Sequence, residues 1–267
     1  MTKLSIIIPV YNEEPFLKRC LNSLIIPEKY IHDVEIILIN DGSTDNSPAI
    51  LDAEDAIDRV GFTVVHHSTN WGVSMTRNHG ITLASGEWLT FLDSDDAMHP
   101  EGIENILTGL NLAHDANVMQ FNHYRCKEEG CRVESRYYIT MQDYGPLNLP
   151  PKWATVWNKV YRKAFLKEHA IRFPNGQQFD EDRQFNIQCL HYDKRIKGSV
   201  LPTICKYFDN EASICHTMTQ EKLIKALDAL VDRLAVEDDP DVCQVIKRSI
   251  IQHLESKRFN NLFGGNK

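Results

Sequence analysis

The stretch Phe91-Leu92-Asp93-Ser94-Asp95-Asp96 runs an apolar pair straight into three carboxylates. Two carboxylates one residue apart at a strand end can turn toward a single hard divalent cation, Mn2+ or Mg2+, which takes oxygen ligands and shares its coordination with phosphate. Without a cation the like charges repel and raise one another's pKa. Acidic residues after a strand also suit the capping of a following helix, a role open to Asp95 or Asp96 before His99-Pro100-Glu101, or to Asp96 alone while Asp93 and Asp95 serve the metal.

The elements that must position these groups follow from the apolar pattern. Residues 4–10 and 34–39 are β-branched apolar runs of the kind that form strands buried on both faces. Pro15 at a first helical turn and an apolar rhythm through Phe16, Cys20, Leu21 and Leu24 predict a helix between them. Helices over 48–57, 73–83 and 101–112 then alternate with strands over 62–65 and 88–92. Such alternation over about 120 residues predicts an α/β fold with a mostly parallel sheet covered by helices on both faces. These sheets bind ligands beyond the carboxyl ends of their strands. Tyr11 to Glu13, Asp41 and Asp93 to Asp95 all leave strands at that rim. There the Asp41 carboxylate can accept a hydrogen bond from the imide N–H of a uracil, while Asp45 is a good helix cap.

After residue 120 the pattern loosens. A hairpin and loop are expected within 121–150, short helices around 163–169 and 181–191, and two amphipathic helices over 220–236 and 241–259. Of the seven cysteines, Cys126 and Cys131 form the only close pair. No second pair follows to complete a zinc site, and Glu128-Glu129-Gly130 between them reads as a polar turn. An odd, scattered cysteine set implies reduced thiols. The net charge of −8 is uneven: residues 1–120 hold 6 basic and 18 acidic side chains, residues 121–267 hold 23 and 19. The acidic half suits a cation site, and the basic half could meet an anionic partner. With no run of about 18 apolar residues and an early polar N-terminus, a cytoplasmic chain is expected, at most peripheral to the inner face of a membrane.

The ordered segments SIIIPVYNEEPFLKRCLNSL, ILINDGSTDNS, NWGVSMTRNHGITLASGEWLTFLDSDD, WNKVYRKAFL and FDEDRQF resemble the GT-A fold, family 2 nucleotide-sugar glycosyltransferases, over at least residues 4–190. The resemblance implies that Pro9, Tyr11 and Glu13 line a base and ribose pocket with Asp41 reading the base, and that Asn70 and Arg77 flank the nucleotide. It makes Asp93-Ser94-Asp95 the DxD motif: Asp93 toward ribose or metal, Ser94 beside the donor, Asp95 on the metal. Asp182 becomes the expected base of an inverting transfer, in which an acceptor hydroxyl loses its proton while attacking the anomeric carbon. The acidic trio Asp180-Glu181-Asp182 would also suit a helix first turn through the dipole alone. His216 is expected to complete the metal shell, with an exposed loop histidine as the competing reading. Trp157 is either an acceptor-side platform or a core aromatic, and Lys159 belongs to a basic set that could face the acceptor.

The implied organisation is a GT-A catalytic domain over 1–215, divided into a nucleotide-sugar half (1–120) and an acceptor half (121–215), and a C-terminal helical appendage over 216–267. The expected activity is metal-dependent transfer from a UDP-sugar to a cell-envelope glycan or lipid-linked sugar. A polyanion stands as the alternative acceptor, either a teichoic-type polymer or, less favoured, a modified nucleic acid. A nucleotide-sugar-binding protein without catalysis is the reading from another class. Nucleotidyltransferases and dinucleotide-dependent oxidoreductases are disfavoured because PVYNEE supplies neither a basic Gly-rich loop nor G-x-G-x-x-G.

Overall fold

The computed structural model describes residues 2–56, 61–112, 115–125, 135–136, 142–150, 152–176, 179–206 and 219–256. Strand and helix alternate through β1 (Leu4–Val10), α1 (Glu14–Ser23), β2 (Val34–Asn40), α2 (Ser47–Ala56), β3 (Phe62–His66), α3 (Val73–Leu83) and β4 (Trp88–Phe91). There follow β5 (Ala97–Met98), α4 (Gly102–Leu112), β6 (Val118–Arg125), β7 (Ser135–Arg136), β8 (Asp143–Tyr144) and β9 (Lys159–Arg162). The chain continues with α5 (Lys163–Glu168), α6 (Glu181–Tyr192), β10 (Ile196–Lys206), α7 (Gln220–Val236) and α8 (Pro240–Leu254).

One sheet has the order β3-β2-β1-β4-β9-β6-β10-β5, with β7 on β6 and β8 on β10. The four strands of the first half are parallel, and the two in its middle, β1 and β2, carry the near-continuous buried apolar runs typical of such sheets. Beyond them β9 enters antiparallel between β4 and β6, and β10 runs parallel to β6 through two register shifts. The mostly parallel expectation therefore holds for the first half, and the sheet becomes mixed in the second. The expected hairpin appears as β6 against β7, while Cys126 and Cys131 lie outside the described residues.

Alternation along β1 builds two cores. Leu4, Ile6, Ile8 and Val10 pack with Leu17, Cys20 and Leu21 of α1 and with Ile103, Ile106 and Leu107 of α4. Ile7 points the other way, into a cluster with Ile81 of α3, Phe165 and Leu166 of α5, and Phe185 and Leu190 of α6. Leu230 of α7 and Val242, Val245 and Ile246 of α8 belong to that same second cluster. The predicted C-terminal helices therefore share a core with the central sheet and do not stand apart from it. Among the described residues, no helix is long and apolar enough to cross a membrane.

The seating of α3 on β1 depends on Gly80. A Cβ there would lie 2.3 Å from Ile7 Cγ2 and 3.3 Å from Ile39 Cδ1. Gly80→Ala should overpack this contact and lower stability by about 1–3 kcal/mol in denaturant melts. An unchanged midpoint would show that the helix can move away freely.

Candidate active site

Parallel pairing of β1 with β2 and β4 brings three loops to one rim of the sheet. The first two are tied together. Asn12, at φ 55°, donates its N–H to Ser43 Oγ at 3.0 Å and accepts from the Thr44 N–H at 2.8 Å. The Glu13 N–H donates to Ser47 Oγ at 3.0 Å, and the Glu14 N–H to Asp45 Oδ2 at 2.9 Å. Asp45 thus binds the first loop while its other oxygen accepts from the Ser47 N–H at the head of α2. Pro9 is half-buried beneath this rim, and Tyr11 stands 46% exposed over it.

Asp41 is 2% exposed. Its Oδ1 accepts from the Trp71 N–H at 2.9 Å and meets His67 Nδ1 at 2.8 Å; its Oδ2 accepts from the Gly72 N–H at 2.9 Å. Each carboxylate oxygen has two acceptor directions, and the Gly72 N–H takes one of those of Oδ2. The close approach of the two loops requires Gly42, at φ 69°, where a Cβ would lie 2.6 Å from the Thr69 carbonyl carbon. His67 is buried, meets His79 Nδ1 at 2.8 Å through Nε2, and stacks on Trp71 with ring centroids 3.7 Å apart. This Asp41–His67–His79 relay is absent from the sequence reading, since two histidines 12 residues apart carry no spacing signal. Asn70 is exposed at the mouth of the same loop.

Arg77 links the third loop to the second acidic cluster. Its buried guanidinium donates through Nη2 to Asp93 Oδ1 at 2.8 Å, and through Nη1 to Asp182 Oδ1 at 2.8 Å and Glu181 Oε1 at 3.1 Å. Burial disfavours its charge, but Asp182, Asp93 and Glu181 together hold its pKa above the ordinary value. Burial likewise raises the pKa of Asp182, against the opposing pull of Arg77. Glu181 is pushed up to about 7 by burial and by Asp182. Asp182 Oδ2 accepts from the Val156 N–H at 3.1 Å, so both its oxygens are oriented.

Carboxylate oxygens of Asp93, Asp95 and Asp96 lie within 4.8 Å of one another. Ser94 between them is buried. Glu13 faces the cluster; burial, then Asp95 and Asp93, push its pKa up to about 8, and its Oε2 is buried without a hydrogen-bond partner. An all-oxygen carboxylate donor set of this kind fits a hard divalent cation such as Mn2+ or Mg2+. His216 lies outside the described residues.

The acceptor-side expectations are corrected by burial. Lys159 is 1% exposed, and its ammonium donates to Lys152 O at 3.2 Å, Asn158 Oδ1 at 3.0 Å and Thr155 O. With all three donors used inside the protein it cannot touch an acceptor; it instead fixes the 152–158 loop that carries the Val156 N–H. Trp157, 8% exposed, packs in the first core and meets His123 edge-on at 4.7 Å, which is the core reading of that residue.

A parallel first half joined to a mixed second half, with a carboxylate cluster at the carboxyl rim, is the GT-A architecture. Residues 5–174 match the family model described as Glycosyl transferase family 2, and the chain belongs to that family. The uncharacterized glycosyltransferase YibD of Escherichia coli is 35% identical over 185 residues, covering 65% of this chain and 52% of that protein. The poly(ribitol-phosphate) beta-N-acetylglucosaminyltransferase TarS of Staphylococcus aureus is 28% identical over 209 residues, 78% of this chain and 35% of that one. A crystal structure of S. aureus TarS in complex with UDP-GlcNAc shares the fold, with a TM-score of 0.79 over 97% of this chain and 75% of that one at 22% identity. The chain thus spans 52% and 35% of the length of these two curated relatives.

Proposed function

We propose that this chain transfers a sugar with inversion from a UDP-linked donor to an acceptor hydroxyl, with Asp182 as general base and Asp93 and Asp95 as the metal ligands. One observation carries the reading: the single buried guanidinium of Arg77 holds both Asp93 of the carboxylate cluster and Asp182, which sets the leaving-group side and the base at a fixed separation. A bound Mn2+ or Mg2+, held by Asp93 and Asp95, would offset charge on the departing diphosphate. Tyr11 and the Asp41 carboxylate suit an aromatic face and an imide N–H of the base. Asp182 takes the proton of the attacking hydroxyl as the new C–O bond forms, and the old bond's electron pair leaves with the diphosphate.

The acceptor we favour is an anionic phosphate polymer, since TarS is named as a poly(ribitol-phosphate) transferase. A hollow of about 270 Å³ between residues 147–149, Trp153 and α8 offers a surface on which the polymer could be held. Trp153, Arg248 and Gln252 line it, an aromatic face beside a cation and an amide. Arg183, the residue after Asp182, lies over the Trp153 ring at 5.5 Å and so joins the cavity wall to the helix of the base.

Calorimetry of UDP with and without Mn2+ tests the donor side. Binding should require the metal and fall by at least about tenfold in Asp95→Ala, the scale expected when a hard-cation ligand is removed. Equal affinity without metal, or in the variant, would remove Asp95 from the site.

A further inference from the structure

The flank of α6 is built unusually. Asp180 precedes the helix with φ 65° and ψ 15°, a left-handed conformation that a residue with a Cβ adopts at a cost. An aspartate there ordinarily caps its own helix, yet this carboxylate makes no cap hydrogen bond. It turns instead to Arg183, whose Nε lies 2.8 Å from Oδ1 and 3.0 Å from Oδ2, and to His253 Nε2, 3.1 Å from Oδ2. The Asp180 and His253 side chains are 7% and 9% exposed. Arg183 reaches the same helix, with Nη1 3.2 Å from Ser249 Oγ and 3.4 Å from Gln252 Oε1. Ser249, Gln252 and His253 stand at i, i+3 and i+4, so one face of α8 grips both sides of the first turn of α6. That face is anchored, since Val242, Val245 and Ile246 of α8 are fully buried.

We propose that His253 is a positioning residue for the transfer. By holding the outward carboxylate of Asp180, it fixes the first turn of α6 and with it the direction of Asp182 between the Arg77 guanidinium and the Val156 N–H. The proposal rests on the assignment of Asp182 as base. It gives the C-terminal helix a catalytic purpose: α8 lines the cavity and aligns the base through one set of side chains. Neither a conformational change nor a change of charge is needed, because a neutral imidazole protonated at Nε2 donates this hydrogen bond.

The test uses the full chain with Mn2+ and UDP-GlcNAc, following UDP release to water at saturating donor. His253→Ala should lower the rate about 10- to 100-fold, the scale of a misplaced catalytic group, with the donor KM unchanged. His253→Gln, which restores an N–H donor, should recover most of that loss. Combining Asp180→Ala with His253→Ala should be no worse than Asp180→Ala alone. Amide exchange at Val156, whose N–H is held by Asp182, reads the same alignment without turnover; it should quicken in His253→Ala and return in His253→Gln. A wild-type rate and wild-type Val156 exchange in His253→Ala would overturn the proposal, as would failure of glutamine to recover either. Asp182→Asn in parallel separates the two ideas. If it retains turnover, the base assignment fails; if it alone loses turnover, only the role of His253 falls.

Discussion

Asp182→Asn is expected to slow transfer by about 10²- to 10⁴-fold, the usual contribution of a positioned general base, while donor affinity stays within about twofold. The amide keeps the shape and can still accept from the Arg77 guanidinium or the Val156 N–H, so the site should assemble. It cannot take a proton. The pH profile adds a sign. Burial raises the pKa of Asp182, and Arg77 only partly opposes this. A base works deprotonated, so the wild-type rate should fall as pH drops, with an acid limb above the ordinary carboxylate range. Glu181, pushed up to about 7 beside it, titrates with it as a pair. Equal loss of donor binding and transfer in Asp182→Asn would make the residue structural.

Arg77→Met should lower stability by about 3–5 kcal/mol, because breaking a buried charge network leaves carboxylates without compensation. Asp93, Glu181 and Asp182 would then repel across the space the guanidinium now fills. Arg77→Lys should recover little, since one ammonium cannot reproduce a fork whose two ends bind different carboxylates. The sign with pH follows. Without the guanidinium the raised pKa values of Glu181 and Asp182 climb further, so the folded state holds protons that the unfolded chain releases, and stability falls as pH rises through the raised range. Urea melts at pH 5 and pH 8 should show the larger penalty at pH 8. The same penalty at both would assign the loss to packing against Phe173, whose ring lies 5.3 Å from the guanidinium carbon.

Much of this was legible in the chain. Strands buried on both faces announce themselves as unbroken β-branched runs, as β1 and β2 do, while β3 and β4 were placed by their alternation with helices, all four within a residue of their ends. A strand whose register rests on tertiary pairing does not. β9 reads as the basic string Lys159-Val160-Tyr161-Arg162, and only its place between β4 and β6 buries Lys159. The same gap explains the acceptor-side misreading, because a lysine looks exposed in sequence and becomes internal when three oxygens receive its ammonium. Asp93 and Asp95 could be singled out as a candidate cation pair from residue type and spacing, whereas Asp182 could be singled out only through the family resemblance. The contacts that orient them could not: Asp180 and His253 meet across 73 residues, and His67 and Asp41 across 26.

The most direct measurement is diffraction at the manganese absorption edge from crystals grown with UDP and Mn2+. An anomalous peak bridging the Asp93 and Asp95 carboxylates and the diphosphate is the predicted result. Bound UDP whose diphosphate is neutralised by protein side chains alone, with those aspartates facing solvent and no peak between them, would contradict the account.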